Sequence, residues 1–298
     1  MPSVGRMVPI LVAIAGACAS PGSTLAQSPS TEASTCTVEQ ALQSIPDEVR
    51  ETSGLAAGRR NPDVFWTHND SGFEPFIFAL SGDGALKARV RVTGATVADW
   101  EDIEISECAS GSCLYIADIG DNAGRRTAVT IYEVPEPELT ATQVAPSRVI
   151  HARYADGPQD AEAFFKLPGG EMFIVSKGRH GAVKLYRYSA AGANGQGTMQ
   201  LVREIAPHPA DQLDRVTAAT ASPDGKWVAV RTYRNLYLYR LADLTAPGGP
   251  AVTYSLASLG EKQGESITLS NDGTLMLTSE AENKKDKPTI GRLSCVLP

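Results

Sequence analysis

The sequence predicts an all-β fold, a five-bladed β-propeller, from three observations: a short start motif that recurs along the chain, a turn signal and β-rich run after every copy, and cysteines at both ends of the repeat array. The motif is a polar or acidic residue followed by an apolar one. It stands at Thr52-Ser53-Gly54-Leu55, Trp100-Glu101-Asp102-Ile103, Ala161-Glu162-Ala163-Phe164, Thr217-Ala218-Ala219-Thr220 and Gly264-Glu265-Ser266-Ile267. The copies lie roughly 50–60 residues apart, enough for four short strands and their loops. A β-sandwich also yields many short strands, but nothing in a sandwich demands a recurring start motif.

Taken in order, each motif opens an innermost strand. A turn follows at Arg60-Asn61-Pro62-Asp63, Ser110-Gly111, Pro168-Gly169-Gly170, Pro223-Asp224-Gly225 and Asn271-Asp272-Gly273. Second strands are expected at residues 64–67, 114–117, 172–175, 227–230 and 275–278. Third strands follow at 75–80, 128–134, 182–188, 235–241 and 289–294, where Ile, Tyr and Leu interleave with polar residues. Fourth strands fit 86–92, 149–154, 199–205 and 252–256. The last blade runs out of chain before its fourth strand, and the segment 35–38 is expected to supply it and remove an open sheet edge.

The cysteines agree with that closure. Cys108 and Cys113 flank the turn-like Ala-Ser-Gly-Ser and suit a hairpin disulfide, which leaves Cys36 near the start to meet Cys295 near the end. Zinc is the competing use of four cysteines, but no CxxC pair and no adjacent histidine spacing supports it. The apolar run 8–17 after Arg6 is too short to span a bilayer and is expected to be an export leader over residues 1–26, with a lipoprotein-like box at Cys18 as the alternative. No later segment has the length of a transmembrane helix. The net charge of −7 argues against nucleic acid as a partner, and a monomer is expected.

In a propeller the start motifs and the loops between second and third strands share one rim. The ring then contains Ser53, Glu101, Glu162, Ala218 and Glu265, a hydroxyl and three carboxylates around one axis. Bare carboxylates so placed repel each other. A hard cation relieves the repulsion, and Ca²⁺ tolerates an irregular oxygen shell better than Mg²⁺ does. Backbone amides of neighbouring blades are the plainer partners for the same glutamates.

The order Ser53, Glu101, Glu162, variable, Glu265 resembles the central calcium site of the five-bladed soluble calcium-activated nucleotidases of the apyrase type, over the blade plan of residues 40–298. In that family the fourth position is a serine, where Ala218 stands here between Thr217 and Thr220. The strings Trp66-Thr67-His68-Asn69-Asp70-Ser71-Gly72, Asp99-Trp100-Glu101-Asp102-Ile103 and Asp118-Ile119-Gly120-Asp121-Asn122 also resemble a set of secreted bacterial propeller proteins, which implies a fold and no activity. The nucleotidase resemblance implies that Ca²⁺ bridges phosphate oxygens while basic residues and a carboxylate complete the site. Candidates for phosphate or other substrate contact are Arg125, Lys177, Arg179, Arg231 and Arg234. Asp70, Asp118 and Asp121 are candidates to orient water, with His68 as acid or base. Each of these charges could equally serve a solvated loop, and Trp66 and Trp100 suit packing better than ligand contact.

Three functions follow as expectations. The first is a calcium-dependent hydrolase of phosphoanhydride or phosphoester bonds. The second is a non-catalytic module that holds a small anionic or sugar-like ligand, or a protein, beside a structural ion. A lactonase-like or esterase-like propeller is the third. No GxSxG elbow, Walker loop, HExxH or dinucleotide fingerprint supports another enzyme class.

Overall fold

A computed structural model describes residues 36–190 and 196–298, together with Met1, Pro2 and Gly5. Apart from those three residues, the expected leader with its Cys18 box lies outside the described residues. No helix among the described residues is long and apolar enough to cross a membrane.

The strands alternate with tight turns from β1 (Cys36–Ser44) onward. Blade one is β2 (Thr52–Ala57), β3 (Val64–Asn69), β4 (Phe76–Ser81) and β5 (Leu86–Val92). Blade two is β6 (Trp100–Cys108), β7 (Gly111–Asp118), β8 (Val129–Pro135) and, after the two-residue β9 (Gln143–Val144), β10 (Arg148–Tyr154). Blade three is β11 (Ala161–Lys166), β12 (Met172–Ser176), β13 (Val183–Ser189) and β14 (Gly197–Ala206). Blade four is β15 (Val216–Ala221), β16 (Trp227–Thr232), β17 (Asn235–Arg240) and β18 (Val252–Ser255). Blade five is β19 (Gln263–Leu269), β20 (Thr274–Glu280) and β21 (Thr289–Cys295), and β1 pairs antiparallel with β21 as its outer strand.

Each expected blade is therefore present, and the ring closes where it was expected to. Cys36 faces Cys295 across the β1–β21 ladder, and the two are disulfide-bonded, as are Cys108 and Cys113. The inner strands touch in the cyclic order β2, β6, β11, β15, β19 and back to β2. Five apolar cores fill the five wedges between blades. Strand β7 shows why its sequence is apolar at nearly every position: Leu114 and Ile116 pack with Val64 and Trp66 of blade one, while Cys113, Tyr115 and Ala117 pack with Phe164 and Ile174 of blade three. Trp66 and Trp100 are fully buried in this packing. Two outer-edge pairings were not expected: β10 joins β14 in parallel, fusing blades two and three into one sheet, and β9 joins β5.

Every inner strand carries a register shift at its start motif. In blades two, three and five the residue skipped by the ladder is Glu101, Glu162 and Glu265. In blade four the ladder pairs Val216 with Thr232 and Ala218 with Arg231, so the skipped residue is Thr217. The ring position assigned to Ala218 thus belongs to Thr217, one residue earlier. In Thr-Ala-Ala-Thr the two-residue period has no apolar–polar contrast to set it, so only the pairing reveals the register.

Asp102 binds the inner strands together. Its carboxylate accepts the amides of Phe164 in blade three at 2.9 Å and Ala219 in blade four at 3.3 Å, and that of Ile103 at 2.8 Å. Asp102→Ala leaves three buried donors unsatisfied and is expected to cost about 3–5 kcal/mol in urea unfolding; Asp102→Asn keeps an acceptor oxygen and is expected to cost about half as much.

Candidate functional site

In every blade the loop after the second strand hydrogen-bonds to the residues that lead into an inner strand: Asp70 N to Glu51 O, Ile119 N to Asp99 O, Lys177 N to Asp160 O, Arg234 N to Leu213 O and Ala281 N to Arg50 O. This is the shared rim, and the ring positions Ser53, Glu101, Glu162, Thr217 and Glu265 lie just inside it. The two hydroxyls are spent on neighbouring backbone: Ser53 Oγ donates to the carbonyl of Glu101 at 2.6 Å and Thr217 Oγ1 to that of Gly264 at 2.9 Å. They clasp blade one to two and blade four to five.

The carboxylates meet a cation that the chain itself supplies. Lys177, buried at the mouth, donates from Nζ to Glu162; burial works against its charge, but the carboxylates of Glu162, Glu265 and Glu101 outweigh it and hold the ammonium well above the usual lysine range. Glu265 Oε1 accepts from Tyr233 Oη at 2.8 Å and from Gln263 Nε2 at 2.9 Å, while its Oε2 is buried without a partner. Gln263 also bridges to Glu280 at 2.7 Å. One ammonium does not balance this much acid. Burial, then the charges of Glu265 and Asp70, push Glu280 well up; burial, then the charges of Glu162 and Asp70, do the same to Glu101.

The tightest convergence lies between blades one and two. Carboxylate oxygens of Asp70, Asp99 and Glu101 lie within 4.8 Å of one another. Glu101 is 3% exposed, and its carboxylate accepts no hydrogen bond from any described residue. Gly120 backs the cluster: a Cβ there would stand 2.1 Å from Glu101 Oε1 and 2.5 Å from Asp99 Oδ2. Burial raises the Asp70 carboxyl to about 7, although the Ser71 amide bonds to it. Asp99 was not among the sequence candidates. Its signal was its position, two residues before Glu101 and next to the buried Trp100.

The remaining candidates divide. His68 is fully buried edge-on to Trp100, 5.4 Å between ring centroids, and burial drops it to about 4, so it is a neutral core residue. Asp118 accepts the amides of Ala98 and Asp99 and pairs with Arg126 at 2.7 Å, and Asp121 accepts the Arg126 amide at 2.6 Å; both organise the Asp-Ile-Gly-Asp-Asn loop. Arg231 is fully buried in a two-pronged pair with Glu261, Arg179 pairs with Asp160, and Arg234 with Asp211 and Asp214. Arg125 is exposed and forms no ion pair among the described residues.

Next to Lys177 the rim opens into a depression of about 320 Å³, with Arg179, Arg215, Tyr233 and Lys262 in its wall. Arg215 and Lys262 form no ion pair among the described residues. The arrangement thus offers an acidic cluster fit for a hard cation, beside a hollow with free positive charge.

No protein-family model matches the sequence, and no curated protein does. Among solved structures, the PQQ-bound aldose sugar dehydrogenase of Streptomyces coelicolor aligns over 88% of this chain and 98% of its own, at 10% identity and a TM-score of 0.54. Virginiamycin B lyase of Staphylococcus aureus aligns over 85% of this chain and 69% of its own, at 12% identity and a TM-score of 0.40. The first likeness shows a propeller fold.

Proposed function

We propose that this is an exported, calcium-dependent ligand-binding propeller. Asp70, Asp99 and Glu101 hold Ca²⁺ at the entry mouth, and the ion presents open coordination positions to an oxyanion or polyhydroxylated ligand seated over Lys177, Arg215, Tyr233 and Lys262. The observation that carries it is the convergence of the carboxylate oxygens of Asp70, Asp99 and Glu101 within 4.8 Å of one another, with Glu101 accepting no hydrogen bond from any described residue. Oxygen-only ligands, from the loop after β3 and from the start of β6, suit Ca²⁺, which accepts irregular shells completed by water. The ligand set therefore differs from the ring of Ser53, Glu101, Glu162 and Glu265, whose other members bond to backbone, Lys177, Tyr233 and Gln263. Two disulfides support export to an oxidising compartment.

Calorimetric titration with CaCl₂ tests the site. Glu101→Gln removes the charge while keeping the shape and is expected to weaken Ca²⁺ by about tenfold or more, roughly 1.4 kcal/mol. Gly120→Ala should do likewise, because its methyl displaces both Glu101 and Asp99. Unchanged affinity in both variants overturns the site.

A second reading, the calcium-dependent phosphohydrolase, is favoured by Asp70, a member of the cluster that is only half-buried, so that one of its carboxylates is open to orient water. Against it, Lys177 and Arg231 are committed to Glu162 and Glu261, and the expected cationic clamp is incomplete. Nucleotides, sugar phosphates, phosphodiesters and lactones, assayed with calcium or chelator, separate the two readings; PQQ, which the aldose sugar dehydrogenase binds, belongs in the same panel. Calcium-dependent binding without turnover supports the first reading.

A further inference from the structure

The far mouth of the channel has the opposite charge character to the entry. A cavity of about 210 Å³ there is lined from every blade, by Ala57, Ile105, Lys166, Ala221 and Leu269 at the ends of the inner strands. Two cations line it, and neither has a carboxylate within ion-pair distance among the described residues. Arg59 Nη2 donates to the carbonyl of Ile105 at a long 3.4 Å, and Lys166 Nζ donates to Ser106 Oγ at 3.0 Å while lying 4.8 Å from the centre of the Tyr115 ring.

The carboxylate in the lining is already committed. Glu104 Oε1 accepts the Ile105 amide at 2.9 Å, and Oε2 accepts Thr220 Oγ1 at 3.0 Å and the Ala221 amide at 3.3 Å. Glu107 and Glu133 act on Lys166 from outside the lining. Thr268 is 6% exposed and also lines the cavity, and its hydroxyl has no hydrogen-bond partner among the described residues. Two unpaired cations and a free hydroxyl thus share one small, partly desolvated hollow.

We propose that this far mouth binds a small oxyanion, a carboxylate or phosphate, between Arg59 and Lys166, with Thr268 as a third donor. The anion relieves the repulsion between the two cations and forms charge-assisted hydrogen bonds, the guanidinium being suited to a two-oxygen grip. The site is independent of the entry-mouth ion, since along β6 Glu104 lies beyond Asp102, whose bonds cross to blades three and four.

Glu104 makes the affinity depend on pH. Burial raises its carboxyl to about 7 despite three hydrogen bonds, with Arg59 pulling it down and Asp102 and Lys166 as the other charged neighbours. Above neutrality its negative charge grows beside the bound anion, so affinity for a carboxylate, which stays ionised throughout, falls from pH 6 to pH 8.

The test is calorimetric titration with sodium succinate and, separately, sodium phosphate, in chelator so that the entry mouth holds no divalent ion. At least one probe is expected to bind the wild type, and Arg59→Ala and Lys166→Gln to weaken it by about tenfold or more. Thr268→Val, which keeps the shape, should weaken it without moving Tm, and Glu104→Gln should tighten it at pH 8 and flatten the pH dependence. Binding of only one probe identifies the chemical source. No binding of either at about 10 mM, or equal binding by the wild type and the Arg59 and Lys166 variants, overturns the proposal.

Discussion

Lys177→Met is expected to destabilise the protein by about 3–5 kcal/mol at pH 8, because removing one partner of a buried ion pair leaves the other uncompensated. Here the loss extends beyond a single partner. Lys177 donates to Glu162, and its ammonium also lowers the cost of charge on Glu265 and Glu101. The deficit should depend on pH in a definite direction. Burial already holds Glu162 up at about 8, and without the ammonium it rises further. A carboxyl raised in the folded state contributes stability below its unfolded pKa of 4.5 and loses it as pH climbs through the folded value. The variant should therefore approach the wild type near pH 5 and fall away steadily towards pH 8. Urea midpoints at several pH values measure this, and a pH-independent deficit would show that Lys177 acts through packing alone. Added Ca²⁺ should recover part of the loss at pH 8 by supplying another positive charge at the same mouth.

The double variant Cys36→Ala/Cys295→Ala is expected to lose about 5 kcal/mol, the chain-entropy value for a loop spanning nearly the whole domain, or roughly 10–15 °C in Tm. The bond separates residues 259 apart in sequence, so opening it frees the ring's entire circumference in the unfolded chain. The Cys108–Cys113 bond, five residues apart, is the internal control. Its removal should cost about 2 kcal/mol by the same reasoning. Calorimetric Tm values for both double variants provide the comparison, and equal losses would refute ring closure as the source of the larger effect. Folding itself should survive, since β1 still pairs with β21 and covers the last sheet edge.

The blade plan was legible because its signals are local. Asn-Asp-Gly and Pro-Asp-Gly turns, apolar runs of strand length and a repeating start motif lie within a few residues of one another. The candidate site was legible only in part. Glu101, Glu162 and Glu265 stand out as acids ahead of apolar strands, but Thr217 was hidden by the uniform Thr-Ala-Ala-Thr. Ser-Lys-Gly-Arg-His looks like an exposed basic loop, yet Lys177 is buried, because Val216 of the next blade bonds to its carbonyl and the loop folds over the mouth. Arg231 was misleading in the same way: it sits at a strand end near the rim, and its partner Glu261 comes from the loop before β19. Asp99 escaped notice because nothing near it in sequence shows that Asp70 of another blade approaches it.

The chain's own order thus determined how many blades form, where each turns and which cysteines close the circle, since those depend on periodicity and on neighbours a few residues away. Which charges meet was decided only by the closed ring. It brings together acids from four of the five blades, and at that centre a one-residue shift in register or a single loop lysine changes which carboxylates are neutralised and which are left to take an ion.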